Sequence, residues 1–174
     1  MKRFILIIDG PMGSGKTTVA RLLHERINNV AHIGLDRIKW LVSGFRRTKP
    51  QNAKTRVVVM AMAKAYLRQG VNVMIAEAMK QEEIVAYQKA AKTIGARFLM
   101  YKLEASKEAL FKRVAARSPA PGRVKVSTAR VLRNYRLYNK FNKDKHTEAI
   151  VFNTEQLNPK HIVSLIVKDI KKLK

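Results

Sequence analysis

The stretch "FILIIDGPMGSGKTTVARLLHERI", residues 4–27, indicates the fold more strongly than any other part of the sequence. An apolar run comes first, a loop with three glycines follows, and apolar residues at helical spacing come last. A strand, a glycine-rich loop and a helix in this order are typical of proteins built around a parallel β-sheet. We therefore predict a buried strand that leads through the loop directly into a helix.

Four further apolar runs alternate with helical patterns along the rest of the chain. The predicted strands cover residues 3–9, 30–34, 71–78, 96–104 and 149–153, and the predicted helices cover 15–28, 35–44, 53–69, 80–94, 106–117, 127–143 and 159–173. Strands that alternate with helices favour a parallel sheet with helices on both faces. The expected fold is a three-layer α/β/α domain with a five-stranded parallel sheet, formed by residues 1–174 as a single unit.

The glycine-rich loop matches the pattern G-x-x-x-x-G-K-[ST] at every fixed position of residues 10–17. Its glycines allow backbone N–H groups to surround a polyphosphate, and the helix that follows points its positive end at the anion. Lys16 would reach the β- and γ-phosphates, and the hydroxyl of Thr17 would ligate Mg²⁺. We therefore expect ATP, or else GTP, with Mg²⁺. The residues expected to contact this nucleotide are Gly10, Gly13, Ser14, Gly15, Lys16, Thr17 and Thr18.

The composition excludes several classes of protein. No apolar run approaches the roughly 20 residues that a membrane-spanning helix needs. The apolar run near the N-terminus is followed at once by Asp9 and by no small-residue cleavage site, so it indicates a strand rather than a signal peptide. The chain has no cysteine, which excludes disulfides and thiolate chemistry and fits a cytoplasmic location.

The net charge of +24 is large for 174 residues, and its distribution is uneven. Residues 37–68 contain nine basic residues and no acidic one, and residues 112–145 contain eleven basic residues against Asp144 alone. Such clusters indicate an acidic partner, most often a nucleic acid. The alternative is a generally lysine-rich composition, in which the charge only keeps the protein in solution.

Asp36 is the one acidic residue between Glu25 and Glu77, and it follows the second predicted strand. A carboxylate at this position could accept the proton of an attacking hydroxyl group. The alternative is a favourable negative charge at the start of a helix, and both roles can coexist. Trp40, one turn further on, could stack on a terminal base or be buried in the core.

The chain resembles the small P-loop kinases of the nucleoside-monophosphate-kinase-like group. "IGLDRIKWL" (33–41) resembles the corresponding stretch of chloramphenicol phosphotransferase, and Asp36 followed by Lys39 resembles the D-x-x-[RK] pattern of zeta toxins and 5′-hydroxyl polynucleotide kinases. "LFKRVAARSPAPGRVKVSTARVLRNY" (110–135) resembles the lid of the phage-type polynucleotide kinase. The resemblance implies a P-loop NTPase fold with a mobile lid at about residues 113–130.

The resemblance also implies a role for individual residues. Arg113 would lie against the adenine, and Arg117 would reach the transferring phosphoryl group. Asn153 and Thr154 would border the base. Two arginines four residues apart beside a loop would also suit phosphoryl transfer without the resemblance, because they could neutralise the developing charge. The alternative for this pair is a solvated basic helix face.

On the acceptor side, the resemblance makes Asp36 the catalytic base and lets Lys39 contact an acceptor phosphate. Arg123 on the lid, and Arg130 and Arg133 on the helix after it, complete the expected acceptor-binding set. Tyr135, Tyr138 and Phe141 interleave with these cations and are typical of core packing.

The sequence departs from the family pattern at two positions. Glu77 stands where such kinases usually have Asp, and it could still hold Mg²⁺ through water or orient Lys39. Lys39 replaces the arginine of polynucleotide kinases, which binds phosphate in a bidentate manner that lysine does not reproduce.

These observations predict an ATP- and Mg²⁺-dependent kinase that phosphorylates the 5′-hydroxyl end of RNA or DNA. Two alternatives remain at this stage. The acceptor could be a small molecule such as a nucleoside, a nucleotide, a nucleotide sugar or an antibiotic. Alternatively, the protein could be a nucleic-acid-binding ATPase in which hydrolysis drives a conformational change.

Overall fold

The computed structural model describes residues 2–117, 126–142 and 148–173, with only the backbone described at residues 141 and 142. It contains five strands: β1 Phe4–Asp9, β2 Val30–His32, β3 Asn72–Ala76, β4 Arg97–Glu104 and β5 Ile150–Asn153. Its helices are α1 Lys16–Arg26, α2 Leu35–Lys39, α3 Lys49–Arg68, α4 Gln81–Ile94, α5 Lys107–Ala115, α6 Thr128–Asn142 and α7 Pro159–Lys171. No helix in these described ranges has the length and apolar character that crossing a membrane requires.

The five strands form one parallel sheet in the order β2-β3-β1-β4-β5. β1 lies in the middle, and all six of its residues are buried. A central strand of a parallel sheet is covered on both faces, which explains its continuous apolar sequence. The expected five-stranded parallel sheet is confirmed.

Helices cover both faces of the sheet, so the expected three-layer architecture is also confirmed. Phe4, Leu6 and Ile8 of β1 face a core that includes residues of α1 and α7. Ile5 and Ile7 face the opposite core, which includes residues of α3 and α4. This alternation follows directly from the two-residue period of a strand.

The helix predicted at residues 35–44 is shorter than expected, because α2 ends at Lys39. Leu41 and Val42 are 79% and 57% exposed, so no apolar partner stabilises a further helical turn at these residues. The next helix, by contrast, begins at Lys49 rather than residue 53. The Thr48 side chain accepts a hydrogen bond from the Gln51 backbone N–H, and a proline in the first turn favours the helical start.

The structure places the carboxyl ends of all five strands along one edge of the sheet, since the strands are parallel. Ligands of open α/β sheets bind at this edge, near the point where the strand order reverses. Part of the predicted lid, residues 118–125 with Arg123, lies outside the described residues.

Candidate active site

The glycine-rich loop connects the end of β1 to the start of α1 and packs closely against its surroundings. Gly10, Gly13 and Gly15 have φ angles of 152°, 89° and 95°, which side-chain-bearing residues rarely adopt. A Cβ atom on Gly10 would lie 2.5 Å from the carbonyl oxygen of Leu103, and one on Gly13 would lie 2.8 Å from that of Leu110. Glycine is therefore required at both positions, because the loop rests directly on β4 and α5.

Lys16 begins α1 and folds back over the loop. Its Nζ donates hydrogen bonds to the carbonyl oxygens of Gly10, at 2.7 Å, and Pro11, at 2.8 Å. Burial lowers the pKa of Lys16 to about 8, and the negative charges of Asp9 and Glu77 only partly oppose this effect. The negative charge of a polyphosphate in the loop would stabilise the charged form of Lys16, which burial disfavours in the free protein.

The loop also holds a buried hydroxyl without a partner. Among the described residues, Ser14 Oγ is the one buried side-chain polar atom that makes no hydrogen bond. A group of this kind needs an explanation, such as a ligand that supplies its partner. Thr17 and Thr18 lie in the first turn of α1 with exposed side chains. The loop therefore fits a bound polyphosphate in its backbone shape, its cation and its unused hydroxyl.

Glu77 follows β3 directly and lies beside the loop. Ile8 of β1 pairs with Ala76 of β3, so that Asp9 and Glu77 come next at the same level of the sheet. Burial raises the pKa of Glu77, and the negative charge of Asp36 raises it further. Lys16 and Lys39 act in the opposite direction, as does a hydrogen bond from the Leu35 backbone. Glu77 thus lies within the electrostatic reach of both the phosphate loop and Asp36.

Asp36 lies in the first turn of α2 with a half-exposed side chain. Its Oδ1 is 3.3 Å from Lys39 Nζ and 3.4 Å from a terminal nitrogen of Arg47. The N-cap of α2 is Gly34, so Asp36 is not the N-cap residue but adds a negative charge to the first turn of the helix. Its carboxylate faces two cations and is half exposed to solvent.

Lys39 and Arg47 differ in how much of each side chain solvent can reach. The Lys39 side chain is only 12% exposed, whereas that of Arg47 is 41% exposed. Arg47 was not identified from the sequence, although it belongs to the basic segment 37–68. The one signal available was the pair of arginines in "FRRTKPQN", which does not show which of the two lies near Asp36.

Arg113 and Thr154 meet at the opposite end of the same sheet edge. One terminal nitrogen of Arg113 donates to Thr154 Oγ1 at 2.7 Å, and the other donates to the Thr154 carbonyl oxygen at 2.8 Å. Thr154 Oγ1 also donates to the Glu104 carbonyl oxygen at the end of β4. Asn153, the last residue of β5, accepts a hydrogen bond from the Glu155 backbone. The structure thus brings together three residues expected around the nucleotide base.

The remaining basic residues lie on or near helices that border this edge. Arg117 follows the end of α5 at Ala115, so the predicted helix extends two residues too far at its C-terminal end, and the side chain of Arg117 is exposed. Arg130 and Arg133 are exposed on α6, whereas Val131 and Tyr138 of the same helix are buried. α6 therefore presents its cations to solvent and its apolar face to the protein.

Besides Arg47, three residues at the site were missed as functional candidates. Tyr138 of α6 donates to Asp9 Oδ2 at 3.0 Å, and Asn134 Oδ1 accepts from the Met12 backbone N–H at 3.0 Å. Asp9 Oδ1 accepts from the backbone N–H of Met79. The sequence did offer one signal, because Asp9 is an acidic residue at the end of an otherwise apolar strand. Asn134 and Tyr138 are four residues apart, which places them on one helix face.

The protein atoms around the loop offer few metal ligands of their own. Within the described residues, no group of three or more His, Asp or Glu side chains lies close enough to hold a metal ion. Mg²⁺ in kinases needs only one or two protein ligands, because substrate phosphates and water complete its octahedral shell. The exposed hydroxyl of Thr17 and the carboxylate of Glu77, beside Lys16, fit that limited role.

The sequence matches the family described as "AAA domain" over residues 5–139. A search of curated proteins returns no significant match. Among solved structures, a sugar kinase from Janibacter sp. HTCC2649 aligns with a TM-score of 0.71 and 14% identity, over 99% of this chain and 96% of that one.

Two other solved structures have a similar fold. The Pnkp1/Rnl/Hen1 RNA repair complex aligns with a TM-score of 0.69 and 20% identity, over 84% of this chain and 47% of that one. Kti12 of Chaetomium thermophilum, in complex with ADP-AlF3, aligns with a TM-score of 0.65 and 15% identity, over 94% and 97% of the two chains. The chain therefore has the fold of the small P-loop kinases.

Proposed function

The chain belongs to the AAA domain family, and from this membership and the geometry of the site we propose that it is an ATP-dependent kinase of 5′-hydroxyl nucleic acid ends. The observation that carries the proposal is the position of Glu77 between the phosphate loop and Asp36. β3, which ends just before Glu77, lies between β1, which leads into the loop, and β2, which precedes Asp36, and the charges of Lys16 and Asp36 both act on this partly buried carboxyl. A hydroxyl group at Asp36 would thus lie on the side of the loop where the terminal phosphate is held.

In the proposed reaction, Asp36 accepts the proton of the acceptor hydroxyl. The hydroxyl oxygen forms a bond to the γ-phosphorus, and the bond from that phosphorus to the bridging oxygen of ADP breaks. Lys16 binds the phosphates, and Arg117 stabilises the charge on the phosphoryl group as it moves. Mg²⁺, held with the help of Thr17 and Glu77, would neutralise charge on the bound nucleotide.

Arg113, Asn153 and Thr154 would form the part of the site that receives the nucleotide base. Arg113 is held in place by two hydrogen bonds to Thr154, so its guanidinium plane is fixed before the nucleotide binds. A fixed guanidinium group can stack on an aromatic ring with little loss of side-chain entropy. This arrangement supports a phosphate donor with a purine base, which is ATP or GTP.

Basic residues near Asp36 and on α6, which contacts the phosphate loop, support a polyanionic acceptor. Lys39 and Arg47 lie at Asp36, and Arg130 and Arg133 are exposed on α6. A cleft with two basic sides attracts a polyanion and raises its association rate. One structure of similar fold belongs to an RNA repair complex, which agrees with this class of acceptor.

The experiment is a screen of acceptors with γ-labelled ATP and Mg²⁺. It compares RNA and DNA oligonucleotides bearing a 5′-hydroxyl with the same oligonucleotides bearing a 5′-phosphate, and with a panel of small hydroxyl compounds. We expect label on the 5′-hydroxyl oligonucleotides and none on the blocked ones. Label on a small compound alone would instead identify a small-molecule kinase. ATP hydrolysis stimulated by nucleic acid, without label on any hydroxyl, would identify an ATPase.

A further inference from the structure

Arg56 of α3 forms an ion pair with Glu83 of α4, next to the turn 77–80 that carries Glu77. A terminal nitrogen of Arg56 contacts Glu83 Oε1. The two side chains are 37% and 14% exposed, so salt and solvent screen this pair less than a pair on the open surface. Tyr87, one turn further along α4, is buried in the core that α3 and α4 share. This face of α4 therefore packs toward α3 and not toward solvent.

The second oxygen of Glu83 holds the turn between β3 and α4. Glu83 Oε2 accepts a hydrogen bond from the Lys80 backbone N–H at 2.8 Å. The preceding N–H, that of Met79, donates to Asp9 Oδ1 at 3.0 Å. Glu77 is the first residue of this turn. The turn is thus held from β1 on one side and, through Glu83, from α3 on the other.

The charge of Arg56 also acts on Glu77 itself. Burial lowers the pKa of Arg56, and the negative charge of Glu77 is the largest effect that opposes this shift. Burial raises the pKa of Tyr87 to about 12, and the charges of Arg56 and Glu77 act on this hydroxyl in opposite directions. Arg56 therefore lies within electrostatic reach of Glu77 while its guanidinium group is paired with Glu83.

A glutamate at position 77 needs such support more than an aspartate would. The glutamate side chain has one additional rotatable bond, and restricting it costs conformational entropy. This sequence has Glu77 where the kinases that it resembles usually have aspartate, so a longer and less restricted carboxylate has to be positioned. A turn that is held at two successive N–H groups fixes the backbone from which this side chain extends.

We propose that Arg56, acting through Glu83, is a positioning residue that fixes the turn 77–80 and so sets how strongly Mg²⁺ enhances nucleotide binding. This inference rests on the proposed function, because it takes Glu77 as a residue that helps to hold Mg²⁺. The role of Arg56 is indirect, since Arg56 holds Glu83 and Glu83 holds the backbone beside Glu77. Residues that support a metal ligand commonly contribute about 10- to 100-fold to metal affinity.

The test measures the Kd for ATP in EDTA and in excess Mg²⁺, and the ratio of these two values is the Mg²⁺ enhancement. Arg56→Ala should reduce the enhancement roughly 10-fold and leave the Kd in EDTA nearly unchanged. Arg56→Lys should fall between this variant and the wild-type protein, because an ammonium group keeps the charge and loses the planar fork. Arg68→Ala, which removes a charge from the exposed end of the same helix, is the matched control and should keep the wild-type enhancement.

A double-mutant cycle shows whether Arg56 acts on Glu77. Glu77→Ala should itself reduce the Mg²⁺ enhancement. In the Glu77→Ala background, Arg56→Ala should have little further effect on the enhancement, because both changes remove the same contribution. Additive effects of the two substitutions would show that Arg56 acts on another group and would overturn the inference.

Hydrogen exchange in the metal-free protein gives a readout that needs neither nucleotide nor activity. Arg56→Ala should accelerate exchange of the Lys80 amide several-fold, because Glu83 loses the partner that orients it. The Met79 amide, which is held by Asp9, is the internal control and should change little. Equal acceleration of both amides in Arg56→Ala and in Arg56→Lys would show a general loss of stability and would contradict a positioning role.

The outcomes separate this inference from the proposed function. If hydroxyl ends of oligonucleotides are phosphorylated and Arg56→Ala keeps the wild-type enhancement, the role of Arg56 is refuted and the kinase proposal stands. If no hydroxyl group is phosphorylated, the kinase proposal fails, and the Mg²⁺ enhancement of ATP binding still decides the role of Arg56. An equal loss of ATP affinity in EDTA and in Mg²⁺ would show that Arg56 supports the fold of the site as a whole, and it would also refute the inference.

Discussion

The Tyr138 hydroxyl on α6 donates a 3.0 Å hydrogen bond to the carboxylate of Asp9, which lies at the end of β1 and 129 residues earlier in the sequence. Both residues are buried, and the other oxygen of Asp9 accepts from the Met79 backbone. Burial and the adjacent carboxylate raise the pKa of Tyr138, so the hydroxyl keeps its proton at any physiological pH. One turn earlier, Asn134 binds the Met12 backbone. α6, with its exposed arginines, is thus attached to the phosphate loop at two points.

Tyr138→Phe should weaken both the fold and the nucleotide site. Removing the hydroxyl takes a donor away from a buried carboxylate, which costs about 1–3 kcal/mol of unfolding free energy. We also expect the Kd for ATP to rise several-fold, because Asp9 directly precedes the loop. Urea unfolding and ATP titration measure the two effects. Leu137→Ala, on the exposed side of the same helix, is the control. Wild-type stability and ATP affinity in Tyr138→Phe would refute the link.

The affinity for ATP should fall as the pH rises above 8. The pKa of Lys16 in the free protein is lowered to about 8, so the side chain is charged below that pH and neutral above it. Phosphates bind the charged form, and the loss of affinity should approach tenfold per pH unit above the pKa. Isothermal titration between pH 7 and 9.5 measures it.

Lys16→Arg provides the control for this pH dependence, because a guanidinium group stays charged throughout the range. Its ATP affinity, whatever its absolute value, should not show the decline above pH 8. Lys16→Ala should abolish phosphoryl transfer. A wild-type affinity that stays constant up to pH 9.5 would show that Lys16 keeps its proton or does not contact phosphate.

Asp36→Asn should lower kcat by on the order of 10²- to 10⁴-fold, the usual contribution of a general base. The ATP affinity should change little, because β3 with Glu77 lies between Asp36 and the strand that leads into the phosphate loop. The fold should tolerate the change, since the carboxylate is half exposed and the Asn side-chain oxygen can still accept the hydrogen bond from Lys39. Single-turnover measurements with γ-labelled ATP give the rate. More than half of the wild-type rate would mean that another group accepts the proton.

Arg113→Ala should weaken ATP binding through the base and not through the phosphates. The variant loses the guanidinium group that Thr154 holds by two hydrogen bonds, and we expect the Kd for ATP to rise about tenfold. Inorganic tripolyphosphate, which has no base, serves as the comparison ligand, and its affinity should change little. An equal loss of affinity for ATP and for tripolyphosphate would show that Arg113 binds the phosphates and not the base.

The sequence predicted those parts of the fold and the site that depend on neighbours along the chain. The strand, the glycine loop and α1 form one continuous segment, so their arrangement could be read from the pattern of residues 4–27. Gly10 and Gly13 have the tight contacts and positive φ angles that a phosphate loop requires. Arg113 and Thr154 are 41 residues apart and in contact, so the structure brings together two residues that the family resemblance placed separately at the nucleotide base.

The residues that sequence reasoning missed depend on tertiary packing. Asn134 accepts a hydrogen bond from the backbone of Met12, which is 122 residues earlier in the sequence. Nothing in "VLRNYRLY" distinguishes a residue that binds the loop from one that packs in the core. Arg46 and Arg47 are equivalent in sequence, and only the early end of α2 and the exposed position of Trp40 bring Arg47 to Asp36.

The measurement that tests the central claim most directly is the salt dependence of KM for a 5′-hydroxyl oligonucleotide and for the matching nucleoside. If the basic residues near Asp36 and on α6 hold a polyanion, KM for the oligonucleotide should be much lower than KM for the nucleoside at low salt. It should rise with salt by a log–log slope near 0.7 for each phosphate contacted. Arg130→Ala and Arg133→Ala should each reduce this slope, and KM for the nucleoside should not depend on salt. Equal KM values at every salt concentration, or efficient transfer to the nucleoside alone, would contradict the account and identify a small-molecule kinase.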